Sequence, residues 1–442
     1  MAQRFRPLAI ALLAAVPAAA AAAAAAPAPL TAERYVAEVL AASPEVVQAR
    51  EAFAAARDSY RAREAAAFLP TLSFTAQEYP YGHDPSLGYA FHGLRFRRSD
   101  VTMNTTATWN LFNGFQDWLK ALQARAARDS SARALDAARQ DRAFAALQAF
   151  YLLDSRRRLL AVAQDDLAAQ KAQYEQTRGL YTQGLKSLSD LYKSENDWRA
   201  SEIRMASADA DYKGSLQPFN ELLDLPPWTE HALADDLTPG ATTLPGLEED
   251  AARLPERRPE IGAALDDARA ARLRERQSLL GLLPTLSANA TWSRQDTATS
   301  GLPSSNFGIA NPNRQVGLTL SLPFGFNGVV QGLDYAAARA ESRRAKAAAD
   351  ASLRSARDEL YAAWLGLRRA IETYDLASRQ EEIAARGLEI VATEYRQGTA
   401  DALRMAQARS DLLSARVQKA TALQDIFVNR AAYRRAAGEP LW

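Results

Sequence analysis

The chain has 442 residues, enough for more than one folded unit. Its 53 Lys and Arg against 52 Asp and Glu leave it close to neutral, which removes the electrostatic case for nucleic acid as a partner. It has no cysteine, which excludes a disulfide framework, a thiol nucleophile, a Cys-held metal and a lipid-bearing cysteine, and His83, His92 and His231 are not spaced as metal ligands, so neither metal nor cofactor is expected.

Residues 1–26 read as a secretory signal. Arg4 and Arg6 supply its positive start, Leu8 to Val16 its apolar stretch, and the alanines up to Ala26 its small residues for cleavage. The competing reading, an anchor helix, suffers from the short, Ala-weak apolar part. Past this segment no run approaches the roughly 20 apolar residues that a spanning helix needs. An exported chain without helical spans is expected.

The chain is a tandem repeat. Leu69-Pro70-Thr71-Leu72-Ser73 returns as Leu283-Pro284-Thr285-Leu286-Ser287. Phe112-Asn113-Gly114 returns as Phe326-Asn327-Gly328, and Tyr181-x-Gln183-Gly184 as Tyr395-x-Gln397-Gly398. Each of these pairs is separated by 214 residues, as are Pro226 and Pro440. Several short matches at one offset, in one order, mean two structural copies. The first spans residues 27–225, the second 248–442, and the Pro-rich stretch 226–247 reads as the linker.

Both copies share one order of elements. A helix opens at Ser43-Pro44, a good N-cap with proline at the first helical position, and runs to about Ala67. Two strands follow, then two helices. Residues 115–178 lack Gly and Pro and predict a rod of about 95 Å at 1.5 Å per residue. In the second copy Leu360, Trp364, Leu367, Ile371 and Tyr374 step by four and three, a seam suited either to coiled-coil packing or to an ordinary amphipathic face.

The strands alternate with period two. Leu72, Phe74 and Ala76 interleave with Thr71, Ser73, Thr75 and Gln77, and Val316, Leu318, Leu320 and Leu322 with Gln315, Gly317, Thr319 and Ser321. The segments around Trp109 and Trp292 behave alike. A half-buried soluble sheet would also alternate. Segments of about 9–12 residues, a polar face without charge, and aromatics at both ends (Tyr79, Tyr81, Tyr89 and Phe91; Phe68, Phe112, Phe324 and Phe326) point instead to a membrane barrel. Four strands cannot close one in lipid, so chains must combine. Two chains give eight strands with a filled interior; three give twelve and begin to leave a lumen. Arg95, Arg97 and Arg98 beside the first external loop are either held by lipid phosphates or simply solvated.

These motifs, with Trp109-Asn110-Leu111-Phe112-Asn113-Gly114 at the strand-to-helix junction, resemble the TolC family of outer-membrane efflux proteins over nearly the whole mature chain. The resemblance implies an α+β membrane protein: a homotrimer whose β-barrel, four strands per chain, continues into a long α-helical periplasmic tunnel. It implies a Gram-negative outer membrane with its lipid as surroundings, and a periplasmic adaptor and inner-membrane transporter as partners, in efflux or type I secretion. It also places a gate at the two Tyr-x-x-Gly turns. By that correspondence Asp190 and Tyr395 are gate residues. The family's acidic throat positions fall on Arg404 and Gln407, and a further family arginine on Ala400, so an acidic cation-binding ring is not expected. Asp401 is the alternative throat carboxylate. Asp190 also fits a capping box with Ser187, and Arg404 also fits a pair with Asp401. The strand-opening Pro70 and Pro284 and the junction glycines Gly114 and Gly328 mark the barrel base.

The reading from another class is a soluble periplasmic coiled-coil scaffold or adaptor without a barrel. An enzyme is disfavoured: no Ser/His/Asp arrangement, phosphate-cradling glycine loop or carboxylate pair stands out.

Overall fold

The computed structural model describes residues 29–82, 97–281 (apart from 235, 236, 238 and 240–242), 283–300, 311–322, 326–397 and 399–442. The signal segment, Tyr89, Phe91, Arg95, Phe324 and Gly398 therefore lie outside the described residues.

The first copy runs α1 (Ala32–Ala42), α2 (Pro44–Phe68), β1 (Thr71–Gly82), β2 (Arg97–Phe112), α3 (Gln116–Thr182) and α4 (Leu188–Glu221). The second repeats the order as α5 (Leu247–Arg257), α6 (Pro259–Leu280), β3 (Thr285–Ser300), β4 (Asn311–Ser321), α7 (Phe326–Arg396) and α8 (Ala402–Ala436). Pro70 and Pro284 each sit immediately before a strand, and the expected helix at Ser43-Pro44 is α2. Its start is set by the Ser43 hydroxyl, which accepts from the Val46 N–H, with Pro44 in the first turn. The rods are longer than expected. With 67 and 71 residues, α3 and α7 extend about 100 and 107 Å.

Two short helices, α1 and α5, were not legible. The stretch between the copies is also more than a tether: Leu233 pairs in parallel with Leu30, with Leu30 N–H donating to the Ala232 carbonyl at 2.8 Å and Ala234 N–H to the Leu30 carbonyl at 3.1 Å. Leu247, assigned to the linker, already opens α5. Around this bridge lies the main core. Tyr35, Val36 and Val39 of α1 pack on Ala143, Ala146, Phe150 and Leu153 of α3 and on Leu216 and Phe219 of α4. The Tyr35 ring stacks on Phe219 at 4.0 Å and its hydroxyl donates to the Phe219 carbonyl at 2.8 Å; burial pushes the phenol pKa up. A second core joins Leu254 of α5 and Ile261 of α6 to Leu360 and Leu367 of α7 and to Tyr433 of α8, with Trp364 and Ile371 partly buried against it. The heptad-like seam is thus a packing face within the chain.

The sheet is antiparallel in the order β1-β2-β3-β4. The pairing of β2 with β3 joins the two copies edge to edge. Register lays the four apolar series on one face: Leu72 opposite Ala107, Ala107 opposite Ala290, and Ala290 opposite Val316. With 12 and 11 residues β1 and β4 keep to the expected 9–12, whereas β2 and β3 run to 16 each. Past the alternating segments the strands take in Glu78, Arg97, Arg98, Asp100, Arg294, Asp296 and Arg314, so they are not free of charge. All of these charges lie at the end away from the helices, leaving an uncharged belt next to the helical rods.

Candidate gate and membrane-facing sheet

One end of the long helices is closed by the first glycine turn. Gly184 takes φ 73°, a left-handed value that glycine adopts without Cβ strain. Its N–H donates to the Tyr181 carbonyl and the Leu185 N–H to the Leu180 carbonyl, both at 2.9 Å, which satisfies the last carbonyls of α3. Ser187 then caps α4. The Asp190 N–H donates to Ser187 Oγ at 3.1 Å, and the Ser187 N–H returns to Asp190 Oδ2 at 3.2 Å. Asp190 is therefore a reciprocal helix cap in this protomer.

Asp190, Lys193, Asp197, Tyr395 and Arg409 line one narrow crevice with Gln173. Structure thus brings together the two sequence-designated gate residues, Asp190 and Tyr395. It does not bond them: the Asp190 carboxylate is occupied by Ser187. Tyr395 is buried with Val391, Ala400 and Met405, and the Lys186 ammonium sits over its ring at 4.5 Å.

The other designated residues point elsewhere. Asp401 N-caps α8, its Oδ1 accepting from the Arg404 N–H at 2.8 Å. The Arg404 guanidinium pairs with Glu394 at 3.0 Å, so the side-chain pairing expected with Asp401 is replaced by one across the turn. Gln407 donates to Asp411 at 2.8 Å. These groups are exposed in the protomer.

Sequence reasoning missed Arg409. Its guanidinium donates to the Ala169 carbonyl at 3.1 Å and to Gln173 Oε1 at 3.2 Å, tying α8 to α3. Burial lowers its pKa, opposed by Asp166, Tyr395 and Asp197. The available signal was a charge between Met405 and Leu412, two buried positions on one face of α8.

At the opposite end the sheet is bare. Leu72 is 75% exposed and Val316 87% exposed in the protomer. Phe74, Trp109, Leu318 and Leu320 share that exposed face. The polar face carries its own hydrogen bonds, Thr71 Oγ1 to the Thr108 carbonyl at 3.2 Å and Asn289 Nδ2 to Thr319 Oγ1 at 2.9 Å. A sheet exposed on both faces, one apolar and one polar, suits lipid outside and water inside. Below it, Gly114 and Gly328 part company. Gly114 has φ 64° and a Cβ there would lie 2.9 Å from the Leu280 carbonyl oxygen. Gly328 lies inside α7 with open space around it.

No helix among the described residues is long and apolar enough to cross a membrane, a statement that does not bear on a barrel. No curated protein matches the chain. Among solved structures, the CusC channel matches with TM-score 0.76 at 15% identity, covering 92% of each chain. The open-state MtrE outer membrane channel of Neisseria gonorrhoeae matches with TM-score 0.75 at 17% identity, over 93% of this chain and 89% of that one. VceC of Vibrio cholerae matches with TM-score 0.72 at 18% identity, over 93% and 97%. These likenesses show a shared fold of sheet and long helices. The reading as a scaffold without a barrel is not favoured. A family model described as outer membrane efflux protein matches residues 35–223 and 252–439. The chain belongs to the outer membrane efflux protein family.

Proposed function

We propose that this protein is the passive exit duct of a tripartite efflux or type I secretion system, a homotrimer in the Gram-negative outer membrane. An inner-membrane transporter and a periplasmic adaptor deliver the cargo. The observation that carries this reading is the four-stranded sheet, in which the outer edges of β1 and β4 have no partner among the described residues while its apolar face lies uncovered. Unpaired strand edges are not tolerated in lipid. Three chains close twelve strands and leave a lumen lined by Thr, Ser and Asn. Leu376, Ile383 and Ile390 support the same assembly. They repeat every seven residues on α7 and are 65%, 71% and 59% exposed, an apolar seam awaiting another helix.

The duct performs no chemistry, and its family is a channel family, not an enzyme class. The uncharged polar belt next to the helices lowers the barrier to a polar solute without selecting one. Cross-linking in native membranes tests the assembly: a trimer in the outer-membrane fraction with pore conductance in planar bilayers is expected. Monomers alone would overturn it.

A further inference from the structure

We propose that the groove between α3 and α6, just beneath the barrel, binds the phosphodiester headgroup of an anionic phospholipid in the periplasmic leaflet. The proposal rests on the outer-membrane reading above. Leu122 and Arg125 of α3 line this groove with Arg269, Arg272 and Arg276 of α6. On α6 the arginines fall at steps of three and four, so they share one helix face.

The charges in the groove do not cancel. Asp129, which also lines it, is taken by Arg128, and Arg269 is paired with Asp266 at 3.4 Å. Arg125, Arg272 and Arg276 have no ion pair or hydrogen bond among the described residues, and all three are exposed. Three free guanidinium groups in one groove repel each other. Planar guanidinium forks match phosphate oxygens in bidentate fashion, so an anionic phosphate ligand relieves that repulsion. Three such forks suit a headgroup with two phosphodiesters, as in diphosphatidylglycerol.

The depth is that of a headgroup layer. Apolar exposure continues from the strands into the first helical turns, with Trp118 on α3 55% exposed and Leu279 on α6 48% exposed. There it stops. Arg276 lies about one turn below Leu279 and Arg125 about two turns below Trp118, on the order of 5 and 10 Å. A headgroup layer is roughly 5–7 Å thick beyond the hydrocarbon, within reach of an arginine stem of that placement.

The groove faces outward. Leu122, Arg125 and Asp129 lie three heptads before Ala143, Ala146 and Phe150. Those three are buried under α1 and the Leu30–Leu233 bridge. Three copies of these covering segments cannot occupy a conducting lumen, so that side of α3 is the outside of the tunnel. A straight helix drifts about 20° per heptad, or about 60° over this distance, which keeps Arg125 on the outer half.

The test is native mass spectrometry of purified trimers titrated with short-chain diphosphatidylglycerol. Wild type should bind it, and Arg125→Gln/Arg272→Gln/Arg276→Gln should bind roughly tenfold more weakly or worse. Arg276→Gln alone, which leaves the rest of the groove intact, should show part of that loss. Arg274→Gln, on the α7 side of α6, should bind as wild type does. Equal binding by wild type, the triple variant and the single variant would overturn the proposal. So would displacement of the lipid by inorganic phosphate at millimolar concentration, which would make this a free-phosphate site. Conductance and trimer mass of the wild type are read in the same preparation. Their loss would sink the channel reading, whereas their retention with no arginine-dependent lipid binding sinks only this one.

Discussion

The Arg409 guanidinium donates to the backbone carbonyl oxygen of Ala169 at 3.1 Å and so ties the start of α8 to α3 across 240 residues of sequence. This contact occupies the end of the rods where the family resemblance places a gate and where the corresponding family arginine is Ala400. A charge-assisted hydrogen bond contributes about 1.5–3 kcal/mol, and three-fold symmetry repeats it three times. Arg409→Ala should therefore raise the resting conductance of the channel in planar bilayers, with Arg409→Lys intermediate. A variant as closed as wild type would reduce Arg409 to a packing contact.

Asp190 caps α4 and lines the same crevice as Tyr395, and its two roles separate by comparison with Ser187. Loss of the cap costs about 0.5–2 kcal/mol in either Ser187→Ala or Asp190→Ala. If the Asp190 carboxylate also holds the closed tip of the assembled trimer, Asp190→Ala should leak more than Ser187→Ala. Equal leak in the two variants would confine Asp190 to capping. Because Arg404 is paired with Glu394 and Asp401 is used as a cap, multivalent cations should block the wild type only weakly.

The two junction glycines should respond differently to the same substitution. Gly114→Ala places a side chain at φ 64° and against the Leu280 carbonyl, and left-handed backbone alone costs an L-residue about 1–2 kcal/mol. Gly328→Ala sits in a helix with room for a methyl and should be neutral or stabilising by up to about 1 kcal/mol. The yield of heat-resistant trimer checks both, and equal yields would show that the left-handed turn at Gly114 does not survive assembly.

Neighbouring residues of β4 should tolerate charge unequally. Leu318 lies on the exposed apolar face, and an arginine facing lipid at mid-bilayer costs about 2–4 kcal/mol. Leu318→Arg should impair insertion. Thr319→Arg, on the face of Asn289, should insert and lower conductance by narrowing the lumen. Equal tolerance would mean that the lipid face has been assigned to the wrong side of the sheet.

His231 gives the linker a pH dependence. Its Nε2 lies 2.7 Å from Asn220 Oδ1, while Asn220 Nδ2 donates to the Pro227 and Thr229 carbonyls, so the ring nitrogen is the donor. Burial holds its pKa below the ordinary 6.5, with Glu38 opposing. The unfolded chain thus takes up the proton first as pH falls. Stability from this site is present above about pH 6.5 and is lost as pH drops through the folded value. The melting temperature of wild type should fall more between about pH 7 and pH 5 than that of His231→Gln. Parallel curves would remove His231 as the titrating group.

Much of the architecture is legible in the residues because backbone geometry imposes its own period. Alternation of Leu318 and Thr319 assigns the two faces of β4 without knowledge of its neighbours, since successive strand side chains point opposite ways. Ser43-Pro44 opens α2 by local hydrogen bonding, and the 214-residue offset reveals the two copies by identity alone. The short helices α1 and α5 escaped notice because each has only 11 residues and is stabilised by packing on a long rod.

What only the tertiary structure decided are the partners that lie far apart in the chain. Phe-Asn-Gly occurs twice, yet Gly114 makes a left-handed turn against Leu280 while Gly328 continues a helix, because the surrounding packing and not the tripeptide selects the conformation. Arg404 pairs with Glu394 across the turn, and Arg409 reaches Ala169 on another helix. The β2–β3 ladder joins the copies although α3, α4, the linker, α5 and α6 all lie between the two strands in sequence. Sequence determined which faces are apolar and where helices start, since those follow from local dihedral preferences and side-chain period. Which carboxylate, carbonyl or strand edge each group finally meets follows from the closure of long loops, whose entropy is repaid only by contacts made in the folded chain.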